Sequence, residues 1–166
     1  MNTKILLSIP CYNCEKQIVR VLQKISNYKY LNFINEIIVI DNISEDNTFN
    51  EAKKFENKIN NLKAIQNKNN VNLGGSHKVI FDYALKNNFD YLILMHGDDQ
   101  ANIADIDFFF DVKLFEIHKK YDWLRGSRFS KKSKLQGYSI LKTYGNIFFN
   151  YIFSIITLKK IEDIGS

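Results

Sequence analysis

The chain has 166 residues, 45% hydrophobic and 25% charged, with one proline and seven glycines. That composition suits a single globular domain with one core and excludes intrinsic disorder and linker-rich architectures. A formal net charge of +5 favours anionic partners, leaving open nucleotide diphosphates, acidic lipid headgroups and nucleic acid.

The first apolar run, Ile5 to Pro10, is too short for a secretory h-region and ends in a turn. No uninterrupted apolar stretch reaches the length of about eighteen that a spanning helix needs. The sequence therefore predicts a cytoplasmic protein whose two cysteines are reduced.

Lys4–Ile9 reads as a buried strand, followed by a turn at Pro10–Asn13 and a helix from Glu15 to about Asn27. In that helix Ile18, Val21, Leu22 and Ile25 recur at helical spacing. Glu36–Asp41 is the clearest strand, four consecutive aliphatic residues as expected between two helix layers. Thr48 and Glu51 have capping-box spacing and predict a helix to about Asn57. Leu62–Gln66 is a weaker strand, after which an Asn-rich turn leads to Gly74-Gly75 and a helix over Ser76–Lys86 with Val79, Ile80, Tyr83 and Ala84 inward.

Tyr91–Met95 is the next buried strand, ending at His96-Gly97-Asp98-Asp99-Gln100. A helix over Ile103–Lys119, a short strand at Trp123–Arg125, a basic loop at Gly126–Lys134 and an apolar helix over Tyr138–Leu158 complete the chain. Alternating strands and helices predict an α/β fold: a mainly parallel, Rossmann-like sheet flanked by helices on both faces. Ligands of such sheets bind beyond the carboxyl ends of the strands, where Pro10–Asn13, Asp41–Ser44 and His96–Gln100 fall.

Each cluster admits a ligand and a plain structural reading. Asp98, Asp99 and Gln100 suit a hard divalent cation bridging to phosphate, or a polar turn that caps a helix. Asp41 suits hydrogen bonds from a nucleobase or ribose, whereas Asp46 and Thr48 suit turn and cap chemistry. The Gly74-Gly75 pair opens a helix and could approach a ligand closely, but it has neither dinucleotide-fingerprint nor P-loop spacing. Cys11 and Cys14 have a Cys-x-x-Cys spacing that nothing else in the chain turns into redox or zinc chemistry, so the pair reads as incidental.

Arg128 in the basic loop can hold phosphate bidentately, with Lys131, Lys132 and Lys134 supplying diffuse attraction. The helix over 138–158 is apolar nearly all round, which predicts burial, contact with a membrane surface, or a homo-oligomer interface.

In order, these segments resemble glycosyltransferase family 2, and within it the dolichyl-phosphate mannosyltransferase-like, polyprenyl-phosphate glycosyltransferase group. The family's Pro-x-Tyr-Asn-Glu is similar to Pro10-Cys11-Tyr12-Asn13-Cys14, and its Val-Val-Asp-Asp-Gly-Ser-x-Asp-x-Thr is similar to the run from Val39 to Thr48. Its glycine-containing helix start matches at Gly74. Its Asp-x-Asp-x-Gln resembles His96-Gly97-Asp98-Asp99-Gln100, with His96 where the family has its first acid. Gly126-Ser127-Arg128 matches the family's Gly-Ser-Arg, Lys142 its basic residue on the next helix, and Glu162–Ser166 the start of its Asp-x-x-Ser-Gly-Phe.

The resemblance implies a GT-A fold over residues 1–166, forming one nucleotide-sugar-binding domain cut short at its C-terminus. It implies inverting transfer from a UDP- or GDP-linked sugar, assisted by Mg²⁺ or Mn²⁺, to an acceptor such as a polyprenyl phosphate in cell-envelope polysaccharide synthesis. Nucleic acid is not an implied partner. Pro10, Tyr12, Asn13, Asp41, Asn42, Ser44, Gly74, Gly97 and Asp98 would bind the nucleotide sugar. Asp98 and Gln100 would hold the metal; Asp98, Arg128 and Lys142 would carry catalysis; Asp163 is the remaining candidate base. The localisation implied is cytoplasmic, peripheral on the cytoplasmic membrane face. A non-catalytic nucleotide-binding or assembly module is the alternative.

Overall fold

The computed structural model describes residues 3–110, 122, 126, 139–161 and 163, the side chains of Phe108 and Lys142 excepted. It divides into two units, Met1–Leu114 and Phe115–Ser166.

In the first unit, β1 (Ile5–Cys11), β2 (Glu36–Asp41), β3 (Leu62–Gln66) and β4 (Tyr91–Leu94) form a parallel sheet in the order β3-β2-β1-β4. Helix α1 (Glu15–Ser26) follows β1, α2 (Thr48–Lys54) follows β2 and α3 (Asn72–Lys86) follows β3. Strand side chains alternate between faces, so one row from each strand must be covered on each side. Leu7, Ile9, Ile37 and Val39 pack with Ile18, Leu22 and Ile25 of α1 and Ala52 of α2. Leu6, Ile38 and Ile40 pack on the opposite face with Ile80 and Ala84 of α3.

This is the two-faced α/β arrangement predicted from the strand–helix alternation. Strands β1 to β3 step to one side of β1 and β4 lies on the other, which places a reversal of strand order between β1 and β4. Crevices in doubly wound sheets form at such reversals.

Several local expectations change. Helix α3 begins at Asn72 rather than Ser76, so Gly74 and Gly75 lie inside its first turn. Gly75 is required there: a Cβ would sit 2.5 Å from the Cβ of Val71. Val79, expected inward, is 39% exposed, and Ser76 takes a place on the buried face with Ile80 and Ala84. Helix α2 stops at Lys54, short of Asn57.

Thr48 does not cap α2 with its hydroxyl. Its amide donates to Asp46 Oδ1 at 3.0 Å instead, and its hydroxyl receives the amide of Cys14 at 2.8 Å. The predicted Ile103–Lys119 helix is described only at its start, as a 3₁₀ turn over Ile103–Ile106 running into α4 (Asp107–Phe110). The predicted strand Trp123–Arg125 lies outside the described residues.

In the second unit the described element is α5 (Ile140–Thr157), slightly shorter than the predicted 138–158. Its last turn is closed by side chains. Ser154 Oγ donates to Asn150 O at 2.7 Å and accepts from Ile161 N at 2.9 Å, and Leu158 ends the helix in the left-handed region at φ 53°. No described helix is long and apolar enough to cross a membrane.

Candidate functional site

Three loops leave the carboxyl edge of the sheet side by side. After β1, Asn13 turns the chain at φ 47°. Its amide donates to Ser44 Oγ at 2.9 Å, and its side-chain oxygen accepts from Glu45 N at 2.8 Å. The Asn42 amide donates to Cys11 O at 2.9 Å, and the Gly97 amide to Pro10 O at 3.1 Å. The β2 and β4 loops are therefore each pinned to the end of β1.

Asp46 adds a second clasp. Its Oδ2 accepts the amide of Glu15 at the start of α1, and its Oδ1 accepts the amide and hydroxyl of Thr48 at the start of α2. Burial opposes its charge, but these donors outweigh that and hold the carboxyl below its usual range. One carboxylate thereby serves the free amides of two helices.

Between these loops lies a cleft of about 240 Å³. The β1 end contributes Pro10, Cys11, Tyr12 and Cys14; the β2 end contributes Asn42. Asn70 comes from the loop before α3, Asn72, Leu73 and Ser76 from the start of α3, and His96, Gly97 and Asp98 from the loop after β4. Of the predicted nucleotide-sugar residues, Pro10, Tyr12, Asn42, Gly97 and Asp98 are brought together in the lining.

Asn13, Asp41, Ser44 and Gly74 are not part of that lining. Asp41, predicted to meet a base or ribose, is fully buried. Its carboxylate accepts the Ser44 amide at 3.1 Å, the Ser44 hydroxyl and Gln66 Nε2 at 2.9 Å. Together with Ser44 and Asn13 it shapes the loop. A Cβ on Gly74 would meet nothing within 4 Å, so that position needs no glycine.

The β4 loop separates its two acids. Asp98 lines the cleft, with Oδ1 accepting the Gln100 amide at 3.1 Å. Asp99 takes φ 63° and pairs with Arg20 and Lys24, both at 2.7 Å. Burial works against its charge, and the two cations together outweigh it and keep the carboxyl low. Gln100, predicted as a metal ligand beside Asp98, is exposed and outside the lining. His96 faces His77 edge-on at 5.6 Å between ring centroids. Burial first, and the His96 ring second, hold His77 below the usual imidazole range. Among the described residues no group of three or more His, Cys, Asp or Glu is placed to hold a metal by itself.

Asn70 and Asn72, which extend Asn42 into a wall of asparagines, were not predicted as site residues, and neither was the cysteine pair. Asn42 Oδ1 accepts from Asn67 Nδ2 at 2.9 Å and from the Val71 amide at 3.0 Å. Its Nδ2 donates to Asn70 Oδ1 at 2.8 Å, which also accepts the Asn72 amide. The signal in the sequence was the density of asparagine over residues 67–72, a residue type that tolerates left-handed backbone and bonds locally. Cys11 and Cys14, read as incidental, form the cleft floor, each 4% exposed. The neighbouring Cys14 and burial push the Cys11 thiol up, while the neighbouring Cys11 lowers the Cys14 thiol.

Arg128, Ser127, Lys131, Lys132 and Lys134 lie outside the described residues, as does the Lys142 side chain on α5. Asp163 is fully buried.

The sequence profile of glycosyl transferase family 2 matches residues 7–107, more than half of the chain. The chain belongs to glycosyl transferase family 2. The matched span runs from β1 to the start of α4 and includes every residue that lines the cleft. Among relatives, the UDP-N-acetylglucosamine–dolichyl-phosphate N-acetylglucosaminyltransferase of Methanococcus voltae is 27% identical over 162 residues, covering 89% of this chain and 61% of that protein.

Among solved structures, S. aureus TarS 1–349 superposes with a TM-score of 0.58 at 22% identity, over 78% of this chain and 40% of TarS 1–349. The same protein in complex with UDP-GlcNAc gives the same TM-score. These superpositions place the family 2 chain in the GT-A-like α/β fold. The chain spans less than two thirds of the length of each of these relatives.

Proposed function

We propose that this family 2 chain binds a nucleoside-diphosphate sugar in the cleft between the β1, β2 and β4 ends and takes part in sugar transfer to an acceptor. The observation that carries the reading is the convergence of Tyr12, Asn42, Asn70 and Asp98 on one cleft at the reversal of strand order. The names of two similar proteins support a UDP-linked donor: the dolichyl-phosphate N-acetylglucosaminyltransferase and TarS, the latter solved with UDP-GlcNAc.

The chain's own residues would act by holding the donor. Tyr12, 47% exposed at the rim, offers a face for a base to stack on. The Asn70 oxygen is occupied by two donors, which leaves its NH₂ group as the part that would donate to acceptor atoms of a ligand. Asp98 has its second oxygen free of described partners.

That carboxylate fits a divalent cation, because Mg²⁺ and Mn²⁺ sites use one or two protein carboxylates completed by phosphate oxygens and water. Asp98 would hold the ion, with Gln100 following it in the loop; when bound, the ion would offset charge on the departing diphosphate. Arg128 and Lys142 would meet phosphate, of the donor or of a lipid-phosphate acceptor. Exposed Leu141, Tyr144, Phe148 and Tyr151 on α5 support peripheral attachment to the membrane carrying such an acceptor.

Calorimetry with UDP and GDP, with and without Mn²⁺, tests the donor site on the native chain and on Asp98→Ala. Metal-dependent binding that weakens by about tenfold or more in Asp98→Ala is the expected result. Absence of nucleotide binding in the native chain overturns the reading. His96, lining the cleft where the family has its first acid, favours a second reading, a nucleotide-binding module that does not transfer sugar. Binding without donor hydrolysis or transfer, in a chain extended to its relatives' length, would select it.

A further inference from the structure

The cysteine pair has a use that the donor site does not absorb. Cys11 closes β1 and Cys14 stands immediately before α1, so the pair brackets the turn by which the chain enters a helix. They are the chain's only cysteines, and both are unbridged. Both sulfurs crowd one point: a Cβ on Gly97 would lie 2.4 Å from Cys11 Sγ and 3.4 Å from Cys14 Sγ. Both also line the cleft, which opens a route for a small reagent from solvent.

We propose that Cys11 and Cys14 form a reversible dithiol–disulfide switch in the floor of the cleft, whose oxidised form displaces the Gly97–Asp98 backbone and weakens ligand binding. The effect on ligand rests on the nucleotide-sugar reading above; the switch itself does not.

The oxidant is a low-molecular-weight disulfide. The Cys14 thiolate attacks one of its sulfurs, the reagent's S–S bond breaks, and one thiolate leaves and takes up a proton. Cys11 then loses its proton to solvent and attacks the Cys14 sulfur of the mixed disulfide, expelling the second reagent thiolate. Two protein thiols are oxidised and one reagent disulfide is reduced to two thiols. Cys14 is the attacking group because it stands at the N-terminus of a twelve-residue helix, where thiolate is favoured. Its lowered thiol agrees with that order, as does the raised Cys11 thiol in the resolving role.

The structural consequence follows from how the floor is tied. Gly97 is buried against both sulfurs, and its amide bonds Pro10 O at 3.1 Å. Drawing the two sulfurs into a bond tightens the Tyr12–Asn13 turn between them. The contact surface on which Gly97 rests then changes, and Asp98 is the next residue.

The test is a titration of the chain with mixtures of reduced and oxidised glutathione, read by intact mass, thiol alkylation and amide hydrogen exchange. The expected result is a joint loss of both thiols, a mass lower by two hydrogens and faster exchange at the Gly97 amide. The oxidised chain should bind UDP- or GDP-sugar about tenfold or more weakly than the reduced chain. Cys11→Ser should accumulate a stable glutathione adduct on Cys14, because the resolving thiol is gone.

Thiols that stay reduced in excess oxidised glutathione until denaturant is added would overturn the switch. So would a disulfide that forms without changing Gly97 exchange, or one that leaves the affinity of a nucleotide-binding chain unaltered. If the disulfide forms and Gly97 responds while the reduced chain binds neither nucleotide sugar, the switch stands and the donor-site reading falls.

Discussion

Gly97 rests against Cys11 so closely that a methyl group at Gly97 would lie 2.4 Å from the Cys11 sulfur. No rearrangement of a long flexible side chain is available to relieve it, since Cys11 is short and 4% exposed. Gly97→Ala should therefore destabilise the fold by about 1–3 kcal/mol, the usual cost of overpacking a dense core. Chemical denaturation measures it. The double variant Gly97→Ala with Cys11→Ala should recover part of the loss, because the clash is with that sulfur.

Ile43 adopts φ 60°, in the left-handed region that a β-branched side chain strongly disfavours. The resembling family motif has glycine at this step. Ile43→Gly should stabilise the chain by about 1 kcal/mol, the relief of backbone strain exceeding the entropy cost of glycine. A thermal melt that shows no rise, or a fall, would mean that the Ile43 side chain contributes more packing than the strain costs.

Asn42 is 4% exposed and serves three partners, Asn67, Asn70 and the Val71 amide. Asn42→Ala leaves the Val71 amide without its acceptor and disconnects the cleft wall from the β2 loop. A loss of about 1–3 kcal/mol in stability is expected from the unsatisfied groups. If the donor site is as proposed, nucleotide affinity should fall as well, and calorimetry on the folded variant separates the two effects.

Asp46 and Asp99 both carry carboxyls held below their ordinary range. Groups with depressed folded values add stability that is present above their unfolded range, near pH 4, and is lost as pH falls through the folded values. The contribution of these two carboxylates to the unfolding free energy should thus be constant above about pH 5 and decline below about pH 4. Asp46→Ala should cost about 1 kcal/mol at neutral pH, as for loss of a helix cap, and should flatten part of the acid decline. Asp99→Asn should cost less, because Arg20 and Lys24 are 53% and 46% exposed and their pairing is screened.

Much of the fold was legible from local pattern. The apolar runs of β1 and β2 and the helical spacing of Ile18, Val21, Leu22 and Ile25 predicted the elements observed, because burial on a fixed face imposes a period on the chain. Helix starts were less legible. Asn72 opens α3 from a left-handed residue, and Asp46 caps α2 through a neighbour rather than through the predicted capping box. Both depend on where loops from distant strands meet.

The chain's order of residues thus determined the parallel α/β sheet, the three polar clusters at its carboxyl edge and membership of family 2, since these follow from periodicity and ordered motifs. Only the tertiary structure decided which polar residues face the cleft. Asp41 ends β2 and Asp98 follows β4, both at the carboxyl edge, yet Asp41 is consumed by Ser44 and Gln66 while Asp98 lines the opening. The same holds for Cys11 and Cys14, whose meaning depends on Gly97 arriving from a strand more than eighty residues later. Partners so distant in the chain are brought together by packing, and no local spacing encodes which carboxylate or thiol they will reach.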